Sequence, residues 1–203
     1  ARLSVPAQRN TAAGGIKLHL IWRELAGYVG FAMGYIVYLT FLSAWMTDQQ
    51  APALLISAVW IIMGVALIAS PFVWRGVLAR HASGKPLAMI LTGIAIGSAL
   101  PLVLPAGGAV VISAVVFGLC VFMAPGAITS FIRQNLPAES WAAAMSLFTV
   151  VFAIAQTAGP FAAGALGDLT GNIGSSLLAA AAILLTGASV VAFQKPLPQQ
   201  DPS

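Results

Sequence analysis

Residues Ala155–Asp168 read AQTAGPFAAGALGD, and the fold turns on what this stretch is. It lies in apolar surroundings, yet it holds a Gln, a Thr, three glycines and a proline, and it ends on an acid. A loop, a broken helix and a helix built for close approach by a neighbour are the competing readings. Composition chooses among them. Apolar residues make up 60% of the 203-residue chain and charged residues only 7%, against about 25% charged in a soluble domain. So little polar surface cannot cover a water-soluble core, so lipid is the solvent. Within lipid, Gly and Pro are ordinary residues of a spanning helix, because neighbouring helices satisfy the backbone groups they free.

Working outward, six apolar segments are long enough to cross a bilayer, for which roughly 17–25 residues suffice. They run over about Glu24–Met46, Ala53–Leu78, Leu87–Leu104, Ala109–Ile132, Ser140–Leu166 and Ile173–Phe193. TDQQAP, RHASGKP, PAGG, RQNLPAES and DLTGN between them carry turn chemistry. The segments are continuously apolar and do not alternate, which argues against a β-barrel. Arg2, Arg9, Lys17 and Arg23 precede the first segment, Arg75, Arg80 and Lys85 surround the second connection, Arg133 lies at the fourth, and Lys195 follows the sixth segment. Six crossings put all nine Lys and Arg on one side, cytoplasmic by the positive-inside rule, with both termini inside. The net charge of +4 is therefore not a nucleic-acid signature, since the basic residues form no patch on a soluble domain. Residues 1–20 lack the apolar core of a signal peptide and read as a linker, as though the chain were the second part of something larger. The expected plan is a cytoplasmic linker over 1–21, a six-helix transmembrane bundle over 22–194 and a cytoplasmic tail over 195–203, in the cell inner membrane.

The opening stretch has a counterpart. Ala158-Gly159-Pro160-Phe161 in the fifth segment matches Ala69-Ser70-Pro71-Phe72 in the second, and Gly164–Asp168 matches Gly76–Arg80. Each copy sits in the middle helix of a set of three, and the two sets enter the membrane from opposite sides. Paired three-helix units of opposite topology are a building plan of transporter halves. Two Pro-containing helices that share a bias toward small residues are the plainer explanation.

The run SFIRQNLPAESWAAAMSLFTVVFAIAQTAGPFAAGALGDLTGNIGSSLLAAAAILLTGA resembles the last two spans of a major facilitator superfamily transporter. GYVGFAMGYIVYLTFLSAW is similar to the start of the C-terminal half in uncharacterised bacterial members. The likeness covers about Trp22–Phe193, one half of the usual twelve spans. Gly76-Val-Leu-Ala-Arg80-His81-Ala-Ser-Gly84-Lys85 is similar to a degraded form of the family's cytoplasmic Gly–Asp–Arg–Gly loop motif, with Arg80 near the place of the expected Asp. The resemblance implies an all-α half of the fold, built as two inverted three-helix repeats. It implies that the first helix of each repeat lines a central cavity, the middle helix meets the other half, and the third lies outside. It further implies two partners besides the bilayer: a small organic solute, and a missing N-terminal six-helix half or a second copy of this chain.

Candidate residues follow. In the first segment Tyr28, Phe31, Tyr35, Tyr38 and Leu42 recur at helical spacing and share a face, and Gly27, Gly30 and Gly34 form an adjoining stripe open to close approach. Buried Tyr hydroxyls need partners, so Phe31, Tyr35 and Tyr38 are either substrate-cavity residues or an aromatic packing stripe. In the fifth segment Ser146, Thr149, Ala153, Gln156 and Pro160 align. Gln156 is the most polar residue deep in any segment, and it belongs against protein or a watery path. Thr149 and Gln156 are cavity candidates, with a helix–helix hydrogen bond as the other reading. Pro71, Gly76, Arg80, Gly159, Pro160 and Gly164 are candidates for the interface between halves or for gating, and Pro71, Pro125 and Pro160 for kinks. No acid, Lys, Arg or His lies deep in a segment, Glu24 standing at the cytoplasmic entrance. The expected function is half of a secondary active transporter that works by alternating access on a small organic solute. The alternative is a six-span scaffold or assembly protein that transports nothing. An intramembrane enzyme is disfavoured, because His19 and His81 lie outside the segments and no acid pair is buried. No metal site and no cofactor is expected; Cys120 is the single cysteine.

Overall fold

A computed structural model describes residues 18–104 and 107–198. The linker expected over 1–21 and the tail over 195–203 lie largely outside the described residues, as do Arg2, Arg9 and Lys17. In lipid the backbone must satisfy its own hydrogen bonds, and continuous apolar sequence does so as helix. The described residues form α1 (Leu18–Asp48), α2 (Ala53–Arg80), α3 (Lys85–Val103), α4 (Gly107–Val121), α5 (Met123–Asn135), α6 (Trp141–Thr170) and α7 (Ile173–Ala192). Helices α4 and α5 are two pieces of one crossing, so six helices are long and apolar enough to span a membrane. AQTAGPFAAGALGD is continuous helix within α6.

The fourth expected span is broken at Phe122, whose backbone leaves the helical region between α4 and α5. Pro125 explains the break: it has no N–H for the Val121 carbonyl, and its ring crowds that group. Pro71 and Pro160 leave α2 and α6 continuous. At Pro71 the carbonyl deprived of its donor is that of Leu67, and the Ser70 hydroxyl donates to it at 2.8 Å. Helix α1 includes Leu18, inside the stretch expected to be linker. Its 31 residues reach roughly 46 Å, longer than the hydrocarbon core. Gly171, in the left-handed conformation, ends α6, and the Asn172 side chain caps α7 by accepting from the Gly174 N–H at 2.8 Å. The turn chemistry of DLTGN is realised in those two residues.

Packing follows the two sets of three, α1–α2–α3 and α4/α5–α6–α7. Helix α2 packs on α4, while α6 packs on α1; α3 packs on α4, while α7 packs on α1; α3 and α7 pack on each other. These contacts come in matching pairs under exchange of the two sets, as an inverted repeat requires. The repeated motif behaves alike in both copies. Ser70 and Gly159 before the prolines are buried, and Phe72 and Phe161 after them are exposed.

Apolar side chains gain nothing by leaving lipid for another helix, so helix pairs here depend on close fit. The closest fits are at glycines. A Cβ on Gly30 would stand 3.3 Å from the Gly187 Cα, and one on Gly187 would stand 3.3 Å from the Gly27 carbonyl, so α1 and α7 touch backbone to backbone. A Cβ on Gly118 of α4 would meet the Met63 carbonyl of α2 at 2.5 Å, and one on Gly97 of α3 would meet the Phe117 backbone of α4 at 3.0 Å.

The helix ends near Arg23, Arg80, Lys85, Arg133 and Lys195 form one basic end, and there a clasp draws distant segments together. The Gly84 N–H donates to the Gln194 carbonyl at 3.0 Å. Asn135 Nδ2 donates to the Ala82 and Phe131 carbonyls at 2.7 and 2.8 Å, and its Oδ1 accepts from the Leu197 N–H at 2.7 Å. The α2–α3 connection, the end of α5 and the chain beyond α7 are thus joined.

Gly118→Val should destabilise the protein by about 1–3 kcal/mol through overpacking. Gly76→Ala, at a position with no atom within 4 Å, should instead change stability by less than about 1 kcal/mol, on the stabilising side; unfolding in mixed micelles compares the two. Asn135→Ala should raise amide hydrogen exchange at Leu197 by at least about tenfold, because that N–H loses its acceptor.

Candidate functional site

The aromatic face of α1 is built by helical spacing and is met by two helices. Toward its start, Tyr28, Phe31 and Tyr35 stack in sequence, with ring centroids 5.6 and 4.6 Å apart. Phe152 of α6 lies against all three, at 5.4, 6.0 and 5.9 Å, and Phe148 one turn earlier meets Tyr28 edge-on at 5.8 Å. Aromatic pairs of this kind contribute about 0.5–1.5 kcal/mol beyond their area. At the far edge of this slab the Tyr35 hydroxyl donates to Gln156 Oε1. Two residues singled out in the sequence are therefore joined across α1 and α6, with Tyr35 buried and Gln156 half-buried.

Tyr38 takes a different direction. Its ring stacks on Phe117 of α4 at 4.1 Å, and its hydroxyl lies 2.6 Å from Ser113 Oγ. Ser113 donates its own proton to the Gly97 carbonyl of α3 at 2.6 Å, so Tyr38 is the donor to Ser113. Tyr38 is 0% and Phe31 1% exposed. Both are packed among the chain's own helices. Thr149 is exposed on α6, its hydroxyl donating to the Met145 carbonyl one turn back. It shares the open side of α6 with Ala153, Gln156 and Pro160.

The interface candidates divide in the same way. Pro71, Gly76 and Arg80 are exposed on α2. Gly159 is packed within the bundle, since a Cβ there would stand 2.8 Å from the Met33 carbonyl of α1. Pro160 is half-buried, and Gly164 lies beside the Phe41 ring. An apolar crevice of about 300 Å³ opens between α1, α6 and α7, lined by Met33, Val37, Ala162, Leu166 and Ile183 among others. Its hydroxyl, on Ser176, is already spent on the Ala163 carbonyl at 2.6 Å, so the crevice offers a guest shape without hydrogen bonds.

One residue has a setting that the sequence reading missed. Glu24, expected at the cytoplasmic entrance, is 1% exposed. The signal was present in the periodicity: Glu24 stands one turn before Gly27, on the face that packs against α7.

The family described as Uncharacterised MFS-type transporter YbfB matches residues 5–192. No curated protein matches the chain. With six spanning helices arranged as two interlocked sets of three, and a family match over nearly its whole length, the chain belongs to this family of multi-pass membrane transporters within the major facilitator superfamily.

Proposed function

We propose that the chain supplies one half of a secondary active transporter, working by alternating access on a small organic solute. The transport role comes from family membership; the solute class is read from the residues. The observation that carries this reading is the Tyr35–Gln156 pair. It sets a half-buried amide in the middle of a spanning helix, two turns from the exposed Thr149, on a side of α6 that the chain's own helices leave open. Such a group in a membrane belongs against protein or a watery path. The wall around it is aromatic and weakly polar, with no charged side chain, which suits an uncharged or amphipathic solute and not a strongly ionic one.

The remaining half is either an N-terminal six-helix unit or a second copy. Helices α2 and α6 present apolar sides that nothing among the described residues covers, among them Ile61, Ile68 and Phe72 on α2, and Val150, Ile154 and Phe161 on α6. These sides, with Pro71, Gly76 and Arg80, are the surface assigned to the partner half, and Pro160 and Gly164 edge it. The basic end is placed in the cytoplasm of an inner membrane by the positive-inside rule. Arg23 lies 5.1 Å over the Trp22 ring and Arg133 5.1 Å over the Trp141 ring, pairs of the kind that sit at a membrane–water interface.

Transport of a panel of uncharged amphipathic solutes by the full gene product tests the reading. Tyr35→Phe and Gln156→Leu should each lower the rate for the accepted solute by about tenfold at unchanged expression, the equivalent of about 1.4 kcal/mol. Tyr38→Phe should act on stability and leave solute selection unchanged. Unchanged rates in the Tyr35→Phe, Gln156→Leu double variant overturn the assignment of the site.

A further inference from the structure

Glu24 sits inside the clasp at the basic end. Its Oε2 is buried and has no hydrogen-bond partner among the described residues. Gln194, 5% exposed, follows α7 into the same place. Its Nε2 donates to the Leu20 and Lys195 carbonyls at 3.0 and 2.9 Å, whereas its Oε1 is a second buried acceptor without a partner. Both side chains close on one glycine. A Cβ on Gly84 would run into the Val191 carbonyl and stand 2.9 Å from Glu24 Oε2 and 2.7 Å from the Gln194 Cβ.

Two orphan acceptors in a space this tight lack a donor. Turning the Gln194 amide over does not supply one, because it would set Oε1 against two carbonyls. Among the described residues, the charged and titratable groups on the elements that meet here are engaged elsewhere or face outward. Arg23 reaches the Phe193 carbonyl at 3.5 Å and lies over Trp22, Arg133 lies over Trp141, and the His81 ring meets the Val77 carbonyl at 3.0 Å. His19, Arg80, Lys85, Glu139 and Lys195 are exposed. The donor that needs the least room is a single proton: a carboxylic acid donates, a carboxylate cannot.

We propose that Glu24 is a proton-binding site that governs the clasp. With the proton on its carboxyl, Glu24 has an O–H to donate, and the α2–α3 connection, the end of α7 and the start of α1 close around it. When the proton leaves to the water at the basic end, an unpaired carboxylate remains in a packed apolar place, and the clasp loosens to hydrate it. The clasp is therefore tight at low pH and opens as pH rises. This holds whatever solute the protein carries and whether or not the Tyr35–Gln156 site is its binding site.

The test uses the full chain in lipid nanodiscs, where both faces meet solvent. Cys120→Ala removes the native thiol, and Ser83→Cys places a reporter in the α2–α3 connection. Maleimide labelling is compared at each pH between this protein and the same protein carrying Glu24→Gln, so that thiol chemistry cancels. From about pH 5 to about pH 9 the labelling ratio should rise by at least about tenfold, because the amide stays neutral throughout. A ratio constant within about twofold overturns the proposal. Should Glu24→Gln fail to fold, a Gln49→Cys reporter at the opposite end of α1 replaces it as the reference. The Ser83→Cys to Gln49→Cys ratio must then show the same rise, and a flat ratio is again fatal.

Discussion

The backbone contact of α1 with α7 is the constraint on which the rest of the bundle depends. Gly27, Gly30 and Gly34 on one helix and Gly187 on the other remove the side chains that would hold the axes apart. In lipid such closeness is itself the source of affinity, through dispersion and fit. Once that face of α1 is committed to α7, the rotation of α1 is set. Its aromatic face must then turn to α6 and α4, and Glu24, on the glycine side, must enter the contact with the end of α7.

Much of this was legible from pattern alone. Hydropathy and turn chemistry give the six crossings, because lipid allows almost no other solution for such runs. The glycine stripe on α1 announces a close neighbour, but not which one. Which helix fills a stripe depends on the order of packing, and three-to-four spacing says nothing of that. For the same reason Tyr35 and Tyr38, neighbours on one face, divide between α6 and α4, and only the first meets Gln156. The break at Phe122 could be anticipated at Pro125, whereas Pro71 and Pro160 carry the same ring without a break. The difference at Pro71 is local: the Ser70 hydroxyl serves the carbonyl that proline leaves bare. Glu24 was hidden by its sequence position near charged residues. Its burial comes from Gln194 and Gly84, remote segments that the clasp brings back over it.

The inverted repeat divides the chain into an inner and an outer society of helices. Helices α1, α3, α4 and α7 are committed to one another on most of their sides, with contacts made at glycines and through buried aromatics. Helix α2 leans on the α4–α5 crossing and α6 on α1 and α7, and each leaves a broad apolar side uncovered. The AxPF motif lies at this boundary in both copies, with its small residue turned in and its phenylalanine turned out. A short repeat that is weak as sequence is strong as structure, because the same alternation of burial recurs on helices that run in opposite sets.

The chain Tyr38 O–H, Ser113 O–H, Gly97 carbonyl crosses three helices, α1, α4 and α3. Each hydroxyl has one hydrogen to give, so the chain has a direction and is complete in a single register. Sliding any of the three by one residue, about 1.5 Å, would strand a hydroxyl among apolar groups. Helices taken from both repeats are thereby keyed to one another like the wards of a lock. Translation of one along its axis breaks the chain of bonds, so the bonds favour motion of the three as one piece.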